Sequence, residues 1–253
     1  MAAIKLKTAE EIERIRKACQ IVAWVLKRAG KVIKPGMTTK DLDSFCDKLI
    51  REKGGTPVFI GYRGYRHATC ISVNSEIVHG IPGEKVLQTG DIVSLDVGAK
   101  LAGYCGDSAV TFPVGKVSSK ASKLLRTTKA ALTAGIKQAR VGNHLGDISA
   151  AVQKVAETGG YTVVRELFGH GIGADLHEDP LIPNFGRPGE GPLLKPGMVL
   201  AIEPMLNMGG WKIKTLADGW TVVTADKSLS CHFEHTVLIS ERGPEILTER
   251  AGL

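Results

Sequence analysis

The chain repeats itself. Ala29-Gly30 recurs as Ala134-Gly135 and Gly54-Gly55 as Gly159-Gly160, both 105 positions later. Downstream, TGDIVSLD (Thr89 to Asp96) aligns with PGMVLAIE (Pro196 to Glu203) at an offset of 107. In each copy a glycine opens an apolar strand that ends on a carboxylate. The near-constant offset makes internal duplication a better account than chance. Helical patterns precede both strands. Thr8-Ala9-Glu10-Glu11 reads as a capping box, with Thr8 accepting from a first-turn amide and Glu11 reaching back. Ile12, Ile15, Cys19, Val22 and Leu26 then keep the spacing of an amphipathic helix to about Lys31, before Pro35-Gly36. A second helix is expected from its cap near Thr38 to just before Gly54-Gly55. In the second copy, 119–139 and 145–158 read as helices, the latter ending at Gly159-Gly160. A duplicated helix-helix-strand unit predicts an α+β fold with pseudo-twofold symmetry, its sheet carrying helices on one face. No linker separates the halves, about 1–115 and 116–253, so one domain over 1–253 is expected.

A chain of 253 residues buries a sizeable core. No apolar stretch after Met1 serves as a signal-peptide core, and none approaches the roughly 20 residues that span a bilayer. A soluble, non-membrane protein is expected. Cys19, Cys46, Cys70, Cys105 and Cys231 are odd in number and form no CxxC pair. That argues against a disulfide framework or a thiolate zinc site and suits a reducing compartment, so a cytoplasmic location is expected. The net charge of +7 is spread along the chain without a DNA- or RNA-binding signature.

Chemistry concentrates in five residues. DIVSLDVGAKLAGYCGDSAVTFP (Asp91 to Pro113) reads as a β-hairpin turning within Lys100 to Gly103. A turn centred between Leu101 and Ala102 sets Asp96 opposite Asp107, with Cβ atoms roughly 4.5–5.5 Å apart. Facing carboxylates repel unless a cation or a shared proton lies between them; otherwise both must point into solvent. Glu203 is the repeat partner of Asp96, and Glu234 interrupts the β-rich run SCHFEHTVLIS. His170 sits in FGHGIG, where glycines let the backbone approach closely. Four carboxylates and one imidazole suit two hard or borderline divalent ions better than a sulfur-rich structural zinc site. Such a pair activates water for amide hydrolysis.

These residues lie in segments that resemble the type I methionine aminopeptidases, members of the "pita-bread" metallopeptidases. The matching segments are GYRGYRHATCISVNSEIVHGIPG, DIVSLDVGAKLAGYCGD, GHGIGADLHEDP, MVLAIEPM and GWTVVTADKSLSCHFEHT. The likeness runs from the first helix to about Ser240. It implies helices covering a curved antiparallel sheet, and two divalent ions (Co, Mn, Fe(II), Zn or Ni) held by Asp96, Asp107, His170, Glu203 and Glu234. It implies removal of the initiator methionine from nascent proteins through a metal-bridging hydroxide. Glu203 would pass a proton to the leaving amine, His177 would stabilise the oxyanion, and His79 would position the scissile amide. Phe59, Tyr62, Tyr65, Cys70, Leu176 and Trp220 would line the methionine pocket. Leu176 replaces an aromatic residue usual in the family and Phe59 a frequent cysteine; both keep the pocket apolar.

Only 33 positions separate His170 from Glu203, which leaves no room for the helical insertion of type II enzymes. The resemblance includes no zinc-finger extension and no extra prolidase-type domain, so a stand-alone, monomeric, bacterial-type enzyme is expected. Ribosome association would suit its role. Two rivals stand beside this reading: a related peptidase that cleaves at proline, and a catalytically inactive relative that binds RNA or protein.

Overall fold

The computed structural model describes residues 4–250. Residues 1–3 and 251–253 of the expected domain, Met1 among them, lie outside the described residues. Among the described residues four α-helices form: α1 (Ala9–Val32), α2 (Thr39–Glu52), α3 (Ser119–Gln138) and α4 (Leu145–Thr158). Their ends fall within a residue or two of the expected ones because local chemistry sets them. Thr8 and Glu11 form the capping box of α1, and Thr38 and Asp41 form that of α2. Each cap satisfies amides that the first helical turn leaves unpaired, at about 1 kcal/mol per cap.

The first half supplies strands β1 (Thr56–Pro57), β2 (Thr69–Val73), β3 (Glu76–Val78), β4 (Ile92–Leu101) and β5 (Tyr104–Pro113). The second supplies β6 (Thr162–Val163), β7 (Phe168–Gly171), β8 (Glu178–Pro183), β9 (Val199–Ile202) and β10 (Met205–Asn207). It continues with β11 (Ile213–Thr215), β12 (Val222–Thr224), β13 (Ser230–His232), β14 (His235–Ser240) and β15 (Gly243–Ile246). One sheet gathers β1, β2 and β5 around β4, another runs β15-β14-β9-β7-β8, and two three-stranded sheets complete the set. Every strand pair is antiparallel.

The duplication is visible in these elements. Helices α2 and α4 each span 14 residues, and their N-caps, Thr38 and His144, each bridge a later segment, at Val86 and Leu193. Gly90 and Gly197 both adopt positive φ (102° and 87°), a backbone state that only glycine enters freely, and each opens a strand, β4 or β9. The halves meet where β5 runs beside β13 and β14. There Glu234 N donates to Ala109 O at 2.9 Å, and Thr236 Oγ1 donates to Asp107 O at 2.7 Å.

Helix α1 packs on one face of β4 and β5 so tightly that a Cβ on Gly106 would lie 2.5 Å from Cys19 N. Leu95 and Val97 share the main core with Val22 and Leu26 of α1. Alternation along the strands then turns Asp96 and Asp107 to the opposite face. The hairpin register differs from the expected one. Leu101 pairs with Tyr104, so the turn is Ala102-Gly103, both at positive φ (48° and 87°), as a two-residue type I′ turn requires. Asp96 therefore faces Ala109, and Asp107 faces Gly98. The slip of two residues keeps both aspartates on one face and makes them diagonal neighbours.

Candidate active site

Behind the helices, on the face that carries Asp96 and Asp107, lies a cavity of about 290 Å³. All thirteen residues singled out in the sequence line it, together with Arg63 and Leu181. Asp96 comes from β4, Asp107 from β5 and His170 from β7, while Glu203 directly follows β9 and Glu234 precedes β14. His170 reaches the floor because its neighbours are glycines. A Cβ on Gly169 would lie 2.4 Å from Ala201 O, and one on Gly171 would lie 2.3 Å from Asp179 O.

The floor is polar and poorly satisfied. His170 Nδ1 bonds to Gly171 O at 2.9 Å, which leaves Nε2 facing the carboxylates, 3.6 Å from Glu203 Oε1 and 3.9 Å from Asp107 Oδ2. Asp96 Oδ1, Asp107 Oδ1 and Glu234 Oε1 are buried without a hydrogen-bond partner. Ligand atoms of Asp107, His170 and Glu234 lie within 4.8 Å of one another. Burial, then repulsion from Glu234, Asp96 and Glu203, pushes the Asp107 carboxyl well above the ordinary range. Glu234 is raised in the same way, by burial and then by Glu203 and Asp96. Burial lifts Asp96 and Glu203 to about 7 each, although His232 opposes the shift at Asp96 and His170 at Glu203. Stripped of a cation, the cluster is a set of acids that resist ionising.

Two more histidines flank this floor. His79 holds a positive φ of 58°, a state uncommon outside glycine, and burial pushes its pKa down to about 4. Tyr65 Oη fixes the next residue by reaching Gly80 O at 3.1 Å. His177 stands at the mouth, open to solvent on one side, with its ring 5.1 Å from that of Tyr62 and 4.1 Å from that of His170. The protein around its ring, then His170, His79 and Arg63, favours its neutral form.

The remaining wall is apolar. Phe59, Tyr65, Cys70 and Leu176 are buried in a second hydrophobic cluster, against which Tyr62 and Trp220 pack. Cys70 reaches the cavity because it pairs with Asp96 across β2 and β4 and so shares its face. The Trp220 ring meets Tyr65 edge-on at 5.0 Å. Sequence reasoning missed Arg63, Leu181 and His232. Arg63 and Leu181 lacked any signal beyond proximity to named residues. His232 lies in the run SCHFEHTVLIS two residues before Glu234, but its neighbour in space, Glu203, is distant in the chain.

Comparison with known proteins places this arrangement. The profile of metallopeptidase family M24 matches residues 13–241. "Methionine aminopeptidase 1" of Bacillus subtilis is 53% identical, over 96% of this chain and 98% of that protein. A crystal structure of methionine aminopeptidase from Thermotoga maritima superposes with a TM-score of 0.96 at 47% identity, covering 98% of this chain and 100% of that one. Prolidase from Pyrococcus furiosus shares the fold more distantly, with a TM-score of 0.79 and 27% identity over 96% of this chain and 65% of its own. The chain belongs to metallopeptidase family M24, and its relatives place it among that family's methionine aminopeptidases. The pita-bread fold is the one these neighbours share.

Proposed function

We propose that this chain removes the N-terminal methionine from peptides and nascent proteins, at a site that takes two divalent metal ions. Asp96, Asp107, His170, Glu203 and Glu234 would hold them. The observation that carries this reading is the trio of orphaned buried oxygens on Asp96, Asp107 and Glu234. Unsatisfied buried acceptors each cost about 1–3 kcal/mol, and ionised ones cost more. A cation among them answers all three, and the donor set of oxygens plus one imidazole suits Co, Mn, Fe(II), Zn or Ni. When bound, such a pair would activate a water as nucleophile and would polarise a carbonyl.

The chain's own groups then divide the work. Glu203, which stands beside His170 at the floor of the cavity, is placed to pass a proton to the leaving amine. Neutral His177 offers a hydrogen-bond donor to the oxygen that gains charge, and His79 orients the scissile amide. Phe59, Tyr62, Tyr65, Cys70, Leu176 and Trp220 receive the methionine side chain, whose thioether packs well on aromatic edges. We read residues 1–253 as one catalytic domain, monomeric and cytoplasmic. Its five free, buried cysteines support a reducing compartment, and among the described residues no helix is long and apolar enough to cross a membrane. Its positive charge supports docking on ribosomes, where nascent chains emerge.

The test is an activity titration across divalent metals with Met-Ala-Ser and a Gly-Pro peptide as substrates. Hydrolysis of the methionyl peptide should depend on metal, and Asp96→Asn should lose at least about a hundredfold. Preference for the proline peptide, or full activity in Asp96→Asn, would overturn the reading.

A further inference from the structure

Glu203 lies between two imidazoles. One of its oxygens faces His170; the other, Oε2, lies 3.5 Å from His232 Nε2. His232 ends β13, where it pairs with Met205, two residues beyond Glu203. The residue is 1% exposed, and its Nε2 has no hydrogen-bond partner. A buried ring nitrogen without a partner is rare enough in folded proteins to need a reason.

The backbone of His232 is not free to drift. Thr111 Oγ1 donates to His232 O at 2.7 Å and accepts from His232 N at 3.1 Å. Thr111 is itself tied to Ser94 through a 2.7 Å hydroxyl contact across the first-half hairpin. The first half of the molecule thus clamps a second-half residue directly behind Glu203. Among the described residues, the atoms close enough to share one ion belong to Asp107, His170 and Glu234, and His232 is not among them.

We infer that His232 is a positioning residue: its Nε2–H is aimed at Glu203 Oε2 and fixes which oxygen that carboxylate turns toward the metal site. At 3.5 Å the pair lies a few tenths of an ångström beyond hydrogen-bond range. A small rotation of the carboxylate closes it. Ligating carboxylates are oriented by such outer donors, and loss of one lowers metal affinity or activity about 10–100-fold. The inference rests on Glu203 being a ligand, as proposed above.

The experiment compares calorimetric Mn(II) binding and steady-state kinetics on Met-Ala-Ser in the parent, His232→Leu, His232→Gln and Glu203→Gln. His232→Leu should weaken Mn(II) binding about 10–100-fold and lower kcat more than it raises KM. His232→Gln, which carries an N–H near the position of Nε2, should restore most of both. A purely packing role predicts the opposite order, since leucine suits a buried site better than an amide. Mn(II) affinity and kcat unchanged in His232→Leu, with binding lost in Glu203→Gln, would overturn the role of His232 alone. Unchanged binding in Glu203→Gln would instead remove Glu203 from the ligand set. Should His232→Leu fail to fold, the His232 Nε2 resonance in the ¹⁵N spectrum decides. Zn(II) should shift it in the parent and not in Glu203→Gln; no shift in the parent overturns the inference.

Discussion

Asp96 and Glu203, each lifted to about 7, still hold protons in mildly acidic solution when no metal is bound. A metal ion must displace those protons, so acid competes with metal. Affinity for Mn(II) should fall as pH drops through about 7, by up to about tenfold per unit for each proton displaced. Calorimetry at about pH 6 and about pH 8, in buffers of different ionisation heat, reads both the affinity and the protons released. An affinity independent of pH, with no proton release, would contradict the burial assigned to these acids. His79 is held at about 4, so it stays neutral across this window and does not account for such a change. At this scale the sequence was unusually informative. Paired acids in apolar strands are costly enough to stand out, and each named side chain reaches one cavity. His232 escaped notice because its meaning comes from Glu203, a residue far from it in the chain.

Helix ends were legible because their determinants are local: a hydroxyl at the cap, an acid three residues on, a glycine pair at the stop. The β4–β5 hairpin was legible in kind and misread in register, because the choice between Leu101-Ala102 and Ala102-Gly103 as the turn depends on which pair tolerates positive φ. The ion pair between Lys7 and Glu178 was not legible at all. Its partners lie 171 positions apart, and both side chains are nearly sealed from water, at 4% and 6% exposure. It ties the segment before α1 to the first residue of β8, directly after His177. Breaking one side of a buried pair costs about 3–5 kcal/mol, whereas replacing both partners with apolar groups is often close to neutral. Lys7→Met should therefore lower Tm by roughly 10 °C and reduce kcat, while Lys7→Met with Glu178→Met should recover much of the lost stability. Thermal melts with kinetics on Met-Ala-Ser check this; a double variant no more stable than the single one would contradict it.

At the scale of the whole molecule, the duplication was the most readable feature, since its glycines and strands recur at nearly fixed offset. The seam between the copies was not readable, because it joins distant segments through a backbone bond from Glu234 and hydroxyls such as that of Thr236 on the backbone of β5. Charge also acts at this scale. With a net +7, binding to the ribosome should be electrostatic, so cosedimentation seen at about 50 mM salt should be largely lost at about 200 mM. Binding insensitive to salt, or none at low salt, would refute that proposal. The seam has a further consequence, one of timing. Two of the five proposed ligands belong to the first copy and three to the second, with Glu234 well along the chain. A ribosome making this protein therefore releases the aspartates long before the last glutamate. A polypeptide cut short before residue 170 therefore carries two of the five proposed ligands and should hydrolyse no methionyl peptide.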